Sequence, residues 1–341
     1  MKIVSTSFVK NESDIVESFI RYQLNLVDEM IILDNFSTDN TPEIIDNLIN
    51  EGLPIHLIRD TNTFDSLDIK MTKLVHKAVN EHDADLVCLL DCDEFIFSTN
   101  EKHPREVLES LDSSKYHLIK WTTYVPTSDD DYNIKFVPKR ITHVRDDFVE
   151  TFYKVIVPKE IIKNYKVTVD MGNHNLTIKN KARNELANYD LDLRLAHFPI
   201  RSKEQCMSKV IIGWVNTIAS NTDNQSWNTH WRDIFYKVKA NNDISSDDLV
   251  TFGKEYSLTP KYRDNVDNID ISIKKQPMNL DFCKDIEIKY YTKFNFLNNI
   301  LENNISLAED VVSLKREINV LNGKTGMIKS IKMKIYKDFL K

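Results

Sequence analysis

The chain has 341 residues and a formal net charge of −7, a balance that disfavours a general nucleic-acid binder. No apolar run approaches the length of a membrane span, and MKIVSTSFVKNESD at the start lacks the apolar core of a signal peptide, so a cytoplasmic protein is expected. Four scattered cysteines (Cys88, Cys92, Cys206, Cys283) fit neither zinc-finger spacing nor a disulfide framework. The six glycines form no GxGxxG, and NGKTG at 322–326 lacks the upstream glycine of a P-loop.

The first hundred residues alternate strand and helix. KIVSTSFV at 2–9 predicts a strand, and Asn11 is positioned to cap a helix carrying Ile15, Phe19, Tyr22 and Leu26 on one face. MIILD at 30–34 predicts a buried strand. Thr41-Pro42-Glu43 then supplies cap, proline and first-turn acid for a second helix. IHLIR at 55–59, a helix over 67–82 and DLVCLLD at 85–91 complete a run of β-α units. Strands without polar alternation imply a mostly parallel sheet covered on both faces, with ligands at the carboxyl ends of the strands. Asp34 and Asp91 stand at two such ends.

From about 115 to 200, YHLIKWTTYV, KFVPKR, FYKVIV, YKVTVD, HNLTI and LDLRLAHF read as strands of a mixed or antiparallel region. Residues 202–256 read as helical, and 257–285 as loop. Further on, Leu297, Asn304, Val311 and Ile318 recur every seven residues, interleaved with Ile300, Leu307, Leu314 and Leu321. That pattern describes a parallel coiled coil and a homodimer, with a helix packed on its own domain as the alternative. The closing KTGMIKSIKMKIYKDFLK holds six lysines and one aspartate on an amphipathic pattern. It suits peripheral contact with an anionic membrane surface, or else a solvated tail.

The densest chemistry lies in LLDCDEFIF at 89–97, where Asp91, Asp93 and Glu94 crowd the end of an apolar strand. A phosphatase-type loop requires DxDx[TV], and position 95 is phenylalanine. A solvated strand end is the generic alternative. The motif has company, however: FVKNE (8–12) and LDNFSTDNT (33–41) upstream, MGNHNL (171–176) and LAHFPIRSKEQ (195–205) downstream. In that order and spacing the set resembles nucleotide-sugar glycosyltransferases of the GT-A fold. More narrowly, it resembles a family-2-like branch with a DxDEF motif, common in bacterial surface-polysaccharide clusters.

The resemblance covers about residues 1–220. It implies an α/β GT-A domain over 1–220; outside it, periodicity and composition predict a helical extension and linker over 221–290, a coiled coil over 291–323 and a basic amphipathic tail over 324–341. It implies an inverting, metal-dependent transfer from a nucleoside diphosphate sugar, UDP-linked by preference, to a glycan, lipid-linked glycan or protein acceptor. Mn²⁺ or Mg²⁺ is the expected cofactor, since a hard divalent ion suits carboxylates and a departing diphosphate. By similarity Asp93 and His197 would ligate the metal, and Asp91 would face the ribose or a metal-bound water. Asp34 would read the base, with Thr6, Asn11, Glu12 and Lys70 in the same crevice. Asp39 would bind there or fix the turn. Arg201 and Lys209 would meet the diphosphate. An inverting transfer needs a general base. Asp147 and Glu150 are the candidates by position, with Asp146 and Asp170 behind them. His174 and Trp121 either shape an acceptor pocket or serve structure. A nucleotidyltransferase and a non-catalytic scaffold that retains the fold are the rival readings.

Overall fold

The computed structural model describes residues 1–60, 66–146, 152–219, 229–241, 243–257 and 271–292. The predicted coiled coil over 291–323, beyond residue 292, and the basic tail over 324–341 lie outside them. The chain divides into two compact units. One comprises Met1–Gln205 with Ser245–Asn295, the other Cys206–Ile244 with Phe296–Lys341.

The first unit opens with β1 (Ile3–Val9), α1 (Val16–Gln23), β2 (Glu29–Asp34), α2 (Thr41–Asn50), β3 (Ile55–Arg59), α3 (Leu67–Glu81) and β4 (Leu86–Asp91). The four strands pair in parallel in the order β3-β2-β1-β4. Both faces are covered, as the apolar strands predict. Met30 and Ile32 of β2 join the core formed with α1 and α2, whereas Ile31 and Leu33 pack with Met71, Leu74 and Val75 of α3. Val9 pairs with Asp34 and Phe8 with Asp91, so both aspartates emerge at one edge of the sheet.

The next elements are β5 (Glu94–Ser98), α4 (Pro104–Glu109), β6 (Tyr116–Val125), α5 (Val137–Arg140), β7 (His143–Arg145), β8 (Tyr153–Pro158) and α6 (Lys159–Asn164). Then come β9 (Val167–Val169), β10 (Leu176–Ile178), α7 (Arg183–Leu186) and β11 (Ala187–His197). β8 runs antiparallel beside β4 and β6, which extends the sheet and makes it mixed. β11 pairs with β6 in parallel and with β5 antiparallel. KFVPKR is not a strand: Pro138 starts the single helical turn of α5, where its missing N–H costs nothing.

α8 (Lys203–Ala219) leads from the first unit into the second, which contains α9 (Thr229–Asn241). There a Cβ on Gly213 would lie 3.3 Å from the Trp231 ring, a close approach of one helix to the next. The chain then returns to the first unit through α10 (Ser246–Glu255) and β12 (Ile273–Lys275). β12 pairs with β7, and Arg145 donates to the carbonyls of Lys254 and Tyr256 at 3.1 and 2.8 Å. Glu17, buried on α1, accepts the amides of Lys289 and Tyr290.

Candidate active site

Phe95 is the first anchor of the acidic motif. It is fully buried, and the rings of Tyr22, Phe198 and Phe19 meet its own edge to face at 5.2, 5.5 and 6.1 Å. Edge-to-face pairs of this kind contribute about 0.5–1.5 kcal/mol each beyond area burial. The register of β5 with β11 sets Phe95 opposite Ala196 and Glu94 opposite His197. The amide of Phe198 donates to the Asp93 carbonyl at 2.8 Å, which locks the end of β11 onto the turn between β4 and β5. His197 Nε2 thereby comes within 3.8 Å of Asp93 Oδ1, both side chains being buried. The Trp121 ring stacks on His197 at 4.1 Å and fixes its plane.

Two buried cations hold the carboxylates around this pair. Lys154 on β8 has no exposed surface; its Nζ lies 2.5 Å from Asp91 Oδ2 and 3.3 Å from Glu94 Oε1, and it donates to the Gly172 carbonyl at 2.8 Å. Burial works to lower its pKa, but Asp91 and Glu94 overcome that and raise it, so the ammonium keeps its proton. Burial pushes Glu94 well above the usual carboxylate range, against the pull of Lys154. Glu94 also accepts the Asp91 amide at 2.9 Å and so fixes the turn. Asn173, at φ +61°, donates to Asp91 Oδ1 at 3.3 Å.

Arg201, equally buried, donates to Asp14 through Nε and Nη2, both at 2.8 Å, and to Glu12 at 2.6 Å. Its Nη1 binds the Phe198 carbonyl at 3.0 Å and lies 3.7 Å from Asp93 Oδ2. Burial would lower its pKa, yet Asp14 and Glu12 raise it well above the ordinary value. Five carboxylates (Glu12, Asp14, Asp91, Asp93, Glu94) thus face two fixed cations. With Glu94 neutral the cluster still carries excess negative charge, which a divalent ion would balance.

The donors at Asp93 and His197 suit such an ion. Two ligands each about 2.1 Å from one metal lie no more than about 4.2 Å apart, and the observed pair falls within that span. Among the described residues no third His, Cys, Asp or Glu donor joins them closely enough to complete a cage. That leaves positions for water and phosphate oxygens, the usual coordination of Mg²⁺ or Mn²⁺ at a substrate site. Asp91 is engaged by Lys154 and Asn173.

At the β2 edge, Asp34 is buried; Oδ2 accepts the Ser37 amide at 3.3 Å, while Oδ1 has no hydrogen-bond partner. Phe36, two residues on, has φ +56° and an exposed ring. A non-glycine residue in that region carries a local cost of about 1–3 kcal/mol. Lys10, which the sequence did not single out, donates to the carbonyls of Asn35 and Phe36 at 2.9 and 3.3 Å. Burial lowers its pKa, with the nearby Asp34 opposing. Lys70 is buried rather than surface-exposed and binds Asp60 at 2.8 Å and Asn35 at 3.1 Å.

Several of the expected site residues are engaged within the fold. Thr6 lies inside β1, paired with Ile31 and Leu89, and its fully buried hydroxyl does not open on the crevice. Asn11 does not cap α1, which begins at Val16 with no side-chain cap. It adopts φ +55° and accepts the Thr38 amide at 2.8 Å. The cap position of α2 is Asn40, and the Thr41 hydroxyl instead accepts the Glu12 amide at 2.8 Å. Asp39 fixes the turn, accepting the amides of Thr41 and Ser13 at 3.0 and 3.1 Å. Glu12 and Arg201 bind each other, so the guanidinium expected on a diphosphate is committed to carboxylates. Lys209 lies half-buried on α8 in the second unit. Asp147 and Glu150 lie outside the described residues. Asp146 is exposed, and Asp170 accepts the Thr177 hydroxyl at 2.6 Å. His174 Nδ1 donates to the Tyr153 carbonyl at 2.8 Å, and its ring packs with Trp121 and Phe152. Lys154 and Asp14 went unnoticed in the sequence, although NESD at 11–14 does show four polar or acidic side chains close to the β1 edge.

The family model described as glycosyl transferase family 2 matches residues 8–150. The chain carries a glycosyltransferase domain. The match contains Asp34, Asp91 and Asp93 and ends before Lys154, His197 and Arg201 close the site. No curated protein matches the chain. Among solved structures, TarS (residues 1–349) from S. aureus is 13% identical with a TM-score of 0.35, covering 77% of each chain. The mannosyltransferase PcManGT from Pyrobaculum calidifontis, in complex with GDP-Man and Mn²⁺, is 11% identical with a TM-score of 0.35, covering 77% of this chain and 82% of its own. GalNAc-T7 with UDP, GalNAc and Mn²⁺ is 12% identical with a TM-score of 0.37, covering 77% of this chain and 55% of its own. The parallel strands within the match supply the carboxyl edge, and β11, beyond the matched residues, brings in the histidine. Among the described residues no helix is long and apolar enough to cross a membrane.

Proposed function

We propose that this glycosyltransferase moves a sugar from a nucleoside diphosphate sugar, UDP-linked by preference, to a glycan or lipid-linked glycan acceptor. The convergence of Asp93 and His197 at 3.8 Å, on the sheet edge that also presents Asp34, carries this reading. Mn²⁺ or Mg²⁺ held by Asp93 and His197 would supply Lewis-acid stabilisation of the charge growing on the departing diphosphate. Asp34 offers Oδ1 as an acceptor to an N–H of the base, and the exposed Phe36 ring lies at the rim of the same loop. Lys154 and Arg201 hold Asp91 and Asp93 in place without touching the donor. Asp147 and Glu150 are retained as the proposed bases that deprotonate the acceptor in an inverting displacement.

Calorimetric titration of UDP, GDP and CDP, each with and without Mn²⁺, tests the assignment on wild type and Asp93→Ala. Mn²⁺-dependent binding of one nucleotide, lost in the variant while its circular dichroism is unchanged, is expected. Binding that ignores both Mn²⁺ and the substitution, or none at all, would overturn it.

A further inference from the structure

At the opposite end of the sheet from Asp34, three side chains from separate elements converge. Glu29 is the first residue of β2, His56 lies on β3, and His82 follows the last turn of α3. Five residues of extended chain, roughly 16 Å at about 3.3 Å each, separate Glu29 from Asp34 along β2. The convergence follows from the packing. Ile31 and Leu33 face α3, and Glu29 continues that face by the two-residue period of a strand. The β2–β3 register sets His56 opposite Ile31, hence on the same side. α3 ends over this face, and its cap residue His82 completes the group.

Glu29 Oε2 lies 3.1 Å from His82 Nδ1 and 3.3 Å from His56 Nε2. One donor atom from each of the three residues lies within 4.8 Å of the others. The imidazole rings meet edge to face at 4.3 Å. Lys2 Nζ, 2.6 Å from Glu29 Oε1, holds the carboxylate so that the other oxygen faces the histidines. A carboxylate that is itself hydrogen-bonded is a better-oriented ligand. His82 is largely buried while His56 is about half exposed, so the group opens to solution on one side.

Two imidazoles and one carboxylate are a donor set for borderline first-row ions such as Zn²⁺, not for Mg²⁺ or Ca²⁺, which take oxygen. The carboxyl end of a helix, with its partial negative charge, also favours a cation at His82. Three protein ligands with an open side leave the fourth position to water. We propose that Glu29, His56 and His82 form a second metal site, selective for a borderline divalent ion, that ties the end of α3 to β2 and β3. It is separate from the sheet edge that carries Asp93 and His197, and its chemistry is different.

Zn²⁺ titrated calorimetrically into the full chain provides the test, with wild type, His56→Ala, Glu29→Gln and Asp93→Ala compared. His56 is a solvent-facing strand residue, so its replacement leaves folding intact, and circular dichroism verifies this for each variant. At least one Zn²⁺ equivalent is expected in wild type, and one is retained in Asp93→Ala, with the affinity of that retained equivalent lower by at least about tenfold in His56→Ala and in Glu29→Gln. Co²⁺ in place of Zn²⁺ should give visible absorption that the same two variants lose. Unchanged Zn²⁺ affinity in either variant, uptake that disappears in Asp93→Ala, or no uptake by wild type would each overturn the proposal.

Discussion

Lys154 sits between Asp91 and Glu94 with no exposed surface, and removing an ammonium from water costs several kcal/mol that nearby carboxylates must offset. Its loss should therefore be felt as stability before it is felt as activity. Lys154→Met is expected to lower the unfolding free energy measurably in urea titrations, because it leaves the buried Glu94 carboxyl and the part-exposed Asp91 without their shared cation. Adding Glu94→Gln should recover part of that loss, giving a clear coupling energy in a double-mutant cycle. Strictly additive effects would show that the two groups do not act as a unit. Neither this pairing nor that of Arg201 was legible in the sequence. A single lysine in FYKVIV, with Phe152 and Ile156 on its own strand face, does not reveal which acidic partners it meets. Arg201 and its partners Glu12 and Asp14 are joined only by the fold.

At the level of elements, strand and helix periodicity located the run from β1 to β4 and the strands β6, β8, β9, β10 and β11, because burial on one or both faces leaves a direct trace in residue spacing; the short β5, α4, β7, α6, α7 and β12 were missed, the last lying in a stretch read as loop. What escaped was local chemistry that spacing does not encode. KFVPKR shows a short apolar pair like a strand, but Pro138 cannot donate to a ladder and begins a turn of helix. The loops after β1 and β2 looked like ligand-binding loops, and much of their polar content knits them together: Asn11 to Thr38, Glu12 to Thr41, Ser13 to Asp39. The turn between β9 and β10 is similarly determined. Gly172 has φ +74°, and a Cβ there would lie 2.7 Å from the His174 ring. Gly172→Ala is expected to cost about 1–3 kcal/mol, read as a lower thermal midpoint, since it also displaces the carbonyl that Lys154 uses. A midpoint equal to wild type would mean that this turn relaxes freely.

The molecule as a whole should carry a pH signature from His174. Burial lowers its pKa from 6.5 to about 4, with Lys154 adding to the effect. The folded protein keeps the ring neutral, while the unfolded chain protonates it below its ordinary pKa. Protons therefore favour unfolding, and stability present above pH 6.5 is lost as the pH falls toward 4. The loss from this group amounts to no more than about 3 kcal/mol. The urea midpoint of wild type should fall more steeply across that window than that of His174→Gln; parallel slopes would remove the histidine as the cause. Globally, the parallel half was readable because each β-α unit is local in sequence. His197 was legible by resemblance, but the pairing that brings it to Asp93 was not, because β8 and β11 reach the site through pairings between distant parts of the chain.

That remoteness sets an order of events during synthesis. Glu12, Asp14 and Asp93 are all translated before Arg201, the guanidinium they share. At about 5–20 residues per second, Arg201 follows Asp93 by roughly 5–20 s. During that interval the nascent amino-terminal half holds its acidic residues at the ribosome without the side chain around which they later gather. The charged core thus gains its full set of partners only when the stretch just after β11 has been made.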